Sequence, residues 1–167
     1  NYCQPTPLEE PNLVHINQSL CEDLNLNPDI FKSKRALKLM SADTSNTNLR
    51  PTSVVYSGHQ FGTWAGQLGD GRAITLGEIP VKNHTAKREV LWDIQLKGAG
   101  LTPYSRFADG RAVLRSTIRE YLCSEAMHGL RIPTTRALCL VSSNTLVQRE
   151  KSDAAAILCK VPPNHIR

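Results

Sequence analysis

The sequence contains no long apolar run and few aromatic residues. No stretch of about 18 apolar residues occurs among its 167 residues, so no membrane-spanning helix is predicted. Aromatic residues make up 5% of the chain, and a surface that binds nucleic acid by stacking its bases needs more of them. We therefore expect neither a membrane nor a nucleic acid as a partner.

The cysteines lack the spacing that is typical of a metal site. No Cys-x-x-Cys pair or zinc-finger spacing of Cys and His occurs, so a structural zinc site is not predicted. The number of cysteines is odd and no two lie close in sequence, which favours reduced thiols in an intracellular compartment. The five are Cys3, Cys21, Cys123, Cys139 and Cys159.

The charge is moderately positive, with a formal net charge of +5 and a sequence pI of about 9.1. Lys and Arg are spread along the chain rather than clustered, so an anionic small molecule that carries phosphate suits this charge as well as a polynucleotide does. The length suffices for one ordinary domain with its own core. Because the chain begins at Asn1 rather than Met, we expect it to be a fragment.

Apolar periodicity and turn residues predict an α+β chain. Two short helices are predicted in residues 17–40, with Asn17 and Asn27 as N-caps. Strands are predicted at residues 62–68, 72–79 and 90–98, then a long helix over about 112–129, then further strands at 137–143, 145–150 and 154–161. An apolar stripe at four-residue spacing is expected to bury the long helix, and its members are Leu114, Ile118, Leu122 and Ala126.

The tetrapeptide Asp-Gly-Arg-Ala occurs at residues 70–73 and again at 109–112. The first copy lies at a predicted strand turn and the second just before the long helix, and their flanking sequences differ. An internal repeat is therefore not favoured. If both copies serve one site, then Gly71, Lys97 and Asp109 must face the same cleft.

Glycines crowd the turn at the first copy. Gly66, Gly69 and Gly71 could adopt positive φ and bring backbone N–H groups to a phosphate, but a tight hairpin explains them equally well. Neither the Walker spacing nor the Rossmann spacing of glycines is present.

Lys97 and Glu120 add to this pattern. Lys97 ends a predicted strand beside a Gly-Ala-Gly stretch, and Glu120 lies on the long helix, from which it could reach Lys97. Each is weak evidence alone, since Lys97 could be a surface lysine and Glu120 or Glu125 could pair with Arg115 or Arg119. The order of glycine-rich turn, strand lysine and helix glutamate is nevertheless that of the ATP-binding lobe of protein kinases.

Three segments closely resemble the selenoprotein O family: YSGHQFGTWAGQLGDGRAITLGE, WDIQLKGAGLTPYSRFADGRAVLRSTIREYLCSEAM and IPTTRAL. The resemblance covers residues 54–167, and residues 1–50 match only loosely. It implies an N-terminal extension with short helices over 1–50 and a kinase-like N-lobe over 51–167, built from an antiparallel sheet with one long helix, the C-lobe being absent. It also implies transfer of AMP from ATP to Ser, Thr or Tyr hydroxyls of proteins, with Mg²⁺ or Mn²⁺, and ATP bound in the orientation opposite to that in ordinary kinases.

The resemblance also assigns residues. It implies that Glu120 positions Lys97, and that the following residues bind ATP: Gly69, Gly71, Arg72, Lys97, Asp109, Gly110, Lys160 and Arg167. Lys160 stands where the family has an arginine, so it keeps the charge but loses the planar fork. The family's catalytic and metal-binding residues are expected beyond Arg167, so we assign no catalytic or metal role within this chain and expect it to be inactive by itself.

Two other functions remain open at this point. One is a non-catalytic, nucleotide-binding pseudokinase scaffold, and the other is a basic nucleic-acid-binding module, which the scarcity of aromatic residues disfavours. The family resemblance suggests a mitochondrial location, with a cytoplasmic one as the alternative.

Overall fold

A computed structural model describes residues 1–83 and 88–162. Over these residues the chain has the predicted α+β class, with antiparallel pairing and few helices. The strands are β1 (Asn12–Ile16), β2 (Val55–Gln60), β3 (Thr63–Gly69), β4 (Ala73–Asn83), β5 (Arg88–Lys97), β6 (Ala112–Val113), β7 (Arg136–Gln148) and β8 (Ser152–Val161). The helices are α1 (Gln18–Asp23), a 3₁₀ helix (Pro28–Lys32), α2 (Lys34–Met40) and α3 (Leu114–Gly129).

The main sheet has the strand order β1-β7-β8-β5-β4, and the short β6 also pairs with β8. The predicted strands at 137–143 and 145–150 form one long strand, β7, whose register against β8 shifts between Ser142 and Leu146. Apolar residues of β7 and β8 fill the centre of the core, among them Leu138, Val141 and Ile157. The central strands of this sheet therefore provide a rigid support for side chains at their ends.

The glycine-rich turn does not close a hairpin. β3 pairs with β2 in a separate two-stranded sheet, whereas β4 pairs with β5, with Ala73 opposite Lys97. The hairpin interpretation is therefore wrong, and residues 70–72 connect two sheets. Positive φ is also confined to one of the three glycines, because Gly66 has φ of 63° whereas Gly69 and Gly71 do not lie in that region.

The N-terminal residues pack into the same core as the later strands. β1 pairs with β7, and Leu20 and Cys21 of α1 are fully buried in the cluster that holds Leu138 and Ile157. The cap predicted at Asn17 is confirmed, since its side chain accepts a hydrogen bond from the backbone N–H of Leu20 at 3.1 Å. The domain boundary at residue 50 remains a prediction.

The second predicted helix is divided in two. Asn27 caps the 3₁₀ helix, as predicted, but the chain is extended at Ser33, which then caps α2. The hydroxyl of Ser33 accepts from the N–H of Ala36 at 3.2 Å and satisfies a donor of the first turn.

Of the apolar stripe predicted for α3, only Leu114 packs against the core. Ile118 and Leu122 are 39% and 60% exposed, and Thr117 and Ser124 are buried instead. The hydroxyl of Thr117 donates to the carbonyl of Val113 at 2.9 Å, so this small polar side chain is satisfied where the helix meets the sheet. Ion pairs between α3 and the strands orient the helix. The spacing of apolar residues along the helix does not indicate these pairs.

Candidate functional site

A cleft of about 1090 Å³ lies where the two-stranded sheet, β4, β5 and residues 103–111 meet. Among the described residues that line it, six are basic and two are acidic. The basic ones are Arg72, Lys97, Arg106, Arg111, Arg149 and Lys160, and the acidic ones are Asp70 and Asp109. Such an excess of positive charge in a concave site favours an anionic ligand.

Most of the residues assigned by resemblance line this one cleft. They are Gly69, Gly71, Arg72, Lys97, Asp109, Gly110 and Lys160. Gly71, Lys97 and Asp109 therefore face one cleft, which is the geometric condition set for a site shared by the two Asp-Gly-Arg-Ala segments. Arg167 lies outside the described residues, so its assignment remains a prediction.

The strand register brings the two cleft lysines to one acid. Lys160 in β8 is opposite Gln95 in β5, and Lys97 lies two residues beyond Gln95, so both lysines point to the same face of the sheet. The Nζ atoms of Lys97 and Lys160 each lie 2.9 Å from Oε1 of Glu120 on α3. The predicted reach from Glu120 to Lys97 is thus present, and the second contact, with Lys160, was not foreseen.

Burial and charge act against each other in this trio. Lys160 has a side chain only 15% exposed, and the other two are half-buried. Burial lowers the pKa of Lys97, and the nearby Glu120 carboxylate only partly offsets this. Burial also opposes ionisation of Glu120, but the Lys97 and Lys160 ammonium groups outweigh it and hold the pKa of Glu120 below its usual value. The acid therefore stays charged at neutral pH.

The two Asp-Gly-Arg-Ala segments are in contact. Nη1 of Arg72 in the first lies 3.5 Å from the carbonyl oxygen of Arg111 in the second. The second segment is tied to the chain after β5, because the N–H of Gly100 donates to the carbonyl of Gly110 at 3.1 Å. A Cβ at Gly110 would lie 2.1 Å from the Gly100 carbonyl oxygen, so this position requires glycine. Two dissimilar parts of the chain thus build one wall of the cleft.

Residues 102–105 lie directly against the glycine-rich turn. The hydroxyl of Thr102 donates to the carbonyl of Asp70 at 2.6 Å, and that of Ser105 donates to the carbonyl of Gly71 at 2.5 Å. A Cβ at Gly69 would lie 2.2 Å from Cγ of Tyr104. Gly69 therefore makes room for Tyr104, a close approach that local turn propensity does not indicate.

Arg149 was also missed by sequence analysis. It lies in the turn between β7 and β8 and forms a two-pronged ion pair with Asp109, with N–O distances of 2.7 and 2.9 Å. The hydrogen bond from Arg149 holds the pKa of Asp109 below its usual value. These residues are 40 positions apart, so no local signal marked the pair.

Further ion pairs join α3 to strands of the main sheet. Nη2 of buried Arg136 lies 2.9 Å from Oε2 of Glu125, which also accepts from the amide of Asn17 at 2.7 Å. Arg115 pairs with Asp153 at 3.0 Å. The surface pairings considered for Glu120 and Glu125 are therefore wrong, because strand residues, rather than neighbours on the helix, supply their partners.

The described residues contain no group of three or more His, Cys, Asp or Glu side chains that could hold a metal ion. They also include no helix that is long and apolar enough to cross a membrane. All five cysteines are free thiols, as expected.

Comparison with known proteins identifies the family. The family model described as Protein adenylyltransferase SelO matches residues 1–167, so the likeness extends beyond residues 54–167 to the N-terminal 50 residues. Proteins named Protein nucleotidyltransferase YdiU are similar as well. The one from Bordetella petrii is 50% identical over 163 residues, which are 98% of this chain and 32% of that protein. The one from Enterobacter sp. strain 638 is 51% identical over 164 residues, which are 98% of this chain and 33% of that protein.

The chain spans about a third of the length of these relatives. Both relatives are bacterial, so they give no support to a mitochondrial location. The match over the whole chain and the identity of about one half agree with each other. The chain therefore belongs to the protein adenylyltransferase SelO family.

Proposed function

We propose that this chain forms the ATP-binding part of a protein adenylyltransferase, which transfers AMP from ATP to Ser, Thr or Tyr hydroxyls of proteins. One observation carries the proposal: Lys97 and Lys160 share one oxygen of Glu120 in a basic cleft that both Asp-Gly-Arg-Ala segments line. Two ammonium groups held at fixed positions are suited to bind a polyphosphate.

In this reaction the hydroxyl oxygen of the protein substrate bonds to the α-phosphorus, and the bond from that phosphorus to the bridging oxygen breaks. Pyrophosphate leaves with the bonding electrons. Arg72, Lys97 and Lys160 are placed to bind the phosphates and to stabilise the negative charge that develops on the leaving group. The hydroxyl proton passes to a general base, which we expect beyond Arg167.

Glu120 has an orienting role in this proposal. Its negative charge keeps two partly buried ammonium groups close together, where they would otherwise repel each other. A bound polyphosphate offers the lysines a second set of anionic oxygens on the cleft side. The residues present therefore fit the triphosphate of ATP.

A divalent ion, Mg²⁺ or Mn²⁺, would neutralise phosphate charge when bound. The described residues contain no group of three or more His, Cys, Asp or Glu side chains that could hold this ion. In line with the family resemblance, we propose that its ligands lie beyond Arg167. We further propose that this chain is a kinase-like N-lobe, because a strand lysine paired to a glutamate of the long helix is also the arrangement in protein kinases. The bacterial relatives favour the cytoplasmic location.

The test is nucleotide binding and AMP transfer by the full-length protein. We expect ATP to bind, a protein to become labelled from ATP carrying an α-phosphate label, and Lys97→Ala to lower both. Arg115→Ala is the matched control, because Arg115 pairs with Asp153 and does not line the cleft. ATP binding without labelling would favour the non-catalytic scaffold, and absence of ATP binding would refute both functions. The 167-residue chain alone should bind ATP without transferring AMP.

A further inference from the structure

Arg149 makes four hydrogen bonds within the described part of the chain. Its Nη1 lies 2.7 Å from Oδ2 of Asp109 and 2.7 Å from the carbonyl oxygen of Gln148. Its Nη2 lies 2.9 Å from Oδ1 of Asp109 and 3.2 Å from the carbonyl oxygen of Arg111. The guanidinium therefore joins the β7–β8 turn to the second Asp-Gly-Arg-Ala segment.

The number of donors limits what Arg149 can do. A guanidinium has five N–H donors, and within the described part of the chain four of those of Arg149 are engaged by these contacts. A phosphate could bind in two-pronged fashion only if the pair with Asp109 were broken. Although Arg149 lines the cleft, it is thus poorly placed to bind phosphate and well placed to hold its neighbours.

Asp109 keeps capacity for one more hydrogen bond. Its Oδ1 accepts from Nη2 of Arg149 and from the backbone N–H of Arg111, both at 2.9 Å, whereas Oδ2 accepts only from Nη1 of Arg149 among the described contacts. A carboxylate oxygen has about two acceptor positions. Since Asp109 lines the cleft, the remaining position on Oδ2 is available to a ligand.

The charge of Asp109 decides what kind of group it can accept. A carboxylate repels phosphate oxygens and accepts hydrogen bonds from uncharged N–H or O–H groups. A nucleotide presents such donors only on its sugar and base. Asp109 therefore suits the nucleoside, whereas the lysine pair suits the phosphates.

We propose that Arg149 is a positioning residue that holds Asp109 as the hydrogen-bond acceptor for an uncharged donor of the nucleoside, either a ribose hydroxyl or an amine of the base. The inference rests on the proposed ATP binding and adds a determinant of nucleotide specificity. It assigns the acceptor end of the cleft to the Asp109–Arg149 pair and the phosphate end to Lys97 and Lys160.

The partial exposure of this pair makes the inference testable. Ion pairs near the surface contribute little to folding stability, so replacing Arg149 should leave the protein folded. Arg115, which is more exposed than Arg149 and does not line the cleft, again provides the matched control.

The experiment is calorimetric titration of the full-length wild-type protein and of the Arg149→Ala, Arg149→Lys and Arg115→Ala variants with ATP and with tripolyphosphate. Arg149→Ala should bind ATP about tenfold more weakly than the wild type, or weaker still, because the hydrogen bond between the nucleoside and the charged Asp109 is no longer oriented. Its binding of tripolyphosphate should be unchanged. Arg149→Lys should recover only part of the affinity, because lysine lacks the planar fork. Arg115→Ala should match the wild type.

Nucleotide analogues identify the donor. The wild type is titrated with 2′-deoxy-ATP, 3′-deoxy-ATP and inosine triphosphate, which lack the two ribose hydroxyls in turn and the 6-amino group. The analogue that lacks the contacted donor should bind the wild type more weakly than ATP does, and this difference should disappear in Arg149→Ala and Asp109→Asn.

Three results would overturn the inference. The first is that Arg149→Ala and Arg115→Ala bind ATP with equal affinity. The second is that Arg149→Ala loses tripolyphosphate binding as much as ATP binding, which would make Arg149 a phosphate ligand. The third is full affinity of the wild type for all three analogues. Failure of the wild type to bind ATP at all would instead overturn the proposed function, and the inference with it.

Discussion

Lys97 and Lys160 place their ammonium nitrogens 2.9 Å from the same oxygen of Glu120. The three charges come from two strands and a helix, and they lie 23 and 40 positions apart along the chain. A single carboxylate oxygen thus keeps two partly buried cations together. Any change at Glu120 acts on both lysines at once, which leads to the first prediction.

Glu120→Gln should lower the pKa of Lys97 further. Burial already lowers that pKa, and the carboxylate that offsets the effect would be gone. Loss of the charge-assisted hydrogen bonds should also reduce the free energy of unfolding by about 1.5–3 kcal/mol. Side-chain NMR titration of the lysines and urea unfolding measure the two effects. The exposed Glu150→Gln is the control, and an unchanged titration of Lys97 in Glu120→Gln would contradict the prediction.

Gly69→Ala should destabilise the turn at the cleft. The new Cβ would lie 2.2 Å from Cγ of Tyr104, and overpacking of this kind costs about 1–3 kcal/mol. Gly129→Ala is the matched control, since its Cβ would meet nothing within 4 Å. Thermal unfolding of both variants measures the difference.

The double variant Gly69→Ala/Tyr104→Ala checks the cause of that loss. Removal of the ring creates the space that the methyl group needs, so the two substitutions should be less damaging together than the sum of their separate effects. Additive losses would show that Tyr104 is not the obstacle.

Acid should destabilise the protein partly through Glu125. Burial opposes ionisation of Glu125, but hydrogen bonds from Arg136, the backbone of Ala137 and Asn17 outweigh it and hold its pKa below the usual 4.5. Because the folded-state pKa is lower than the unfolded one, this stabilisation is present above the unfolded pKa and is lost as pH falls through the folded pKa.

Urea unfolding at about pH 7 and about pH 3 measures this effect. Glu125→Gln should be less stable than the wild type at the higher pH, since buried Arg136 loses one of its two charged partners and keeps only Asp23. Acidification should then reduce its stability by less than it reduces that of the wild type. The exposed Glu22→Gln controls for removal of a carboxylate as such. If acidification reduced the stability of the wild type and of Glu125→Gln equally, the assignment of this effect to Glu125 would be contradicted.

The cysteines should divide into three classes of reactivity. Cys123 is exposed and should react fast with a thiol reagent. Burial raises the pKa of the half-buried Cys3 thiol, so Cys3 should react more slowly. Cys21, Cys139 and Cys159 are buried and should react only on unfolding. Absorbance of the released reagent measures the phases, and Cys123→Ser should abolish the fast one. Rapid reaction of all five thiols in the folded protein would refute this division.

Local sequence signals predicted several elements well. Asn17 and Asn27 cap helices as predicted, because capping depends on residues only two or three positions apart. The strands around residues 72–79 and 90–98 also form where β propensity indicates them. The buried face of α3 could not be predicted this way, because Glu120 and Glu125 orient the helix through partners on distant strands.

The sequence by itself determined the α+β class and the family, and it pointed to seven of the residues that line the cleft, because turn, cap and motif residues act at short range along the chain. Only the tertiary structure decided that β3 pairs with β2 rather than β4, that Lys160 shares Glu120 with Lys97, and that Arg149 holds Asp109. These relationships depend on strand register and on contacts between residues tens of positions apart, and such contacts leave no local pattern in the chain.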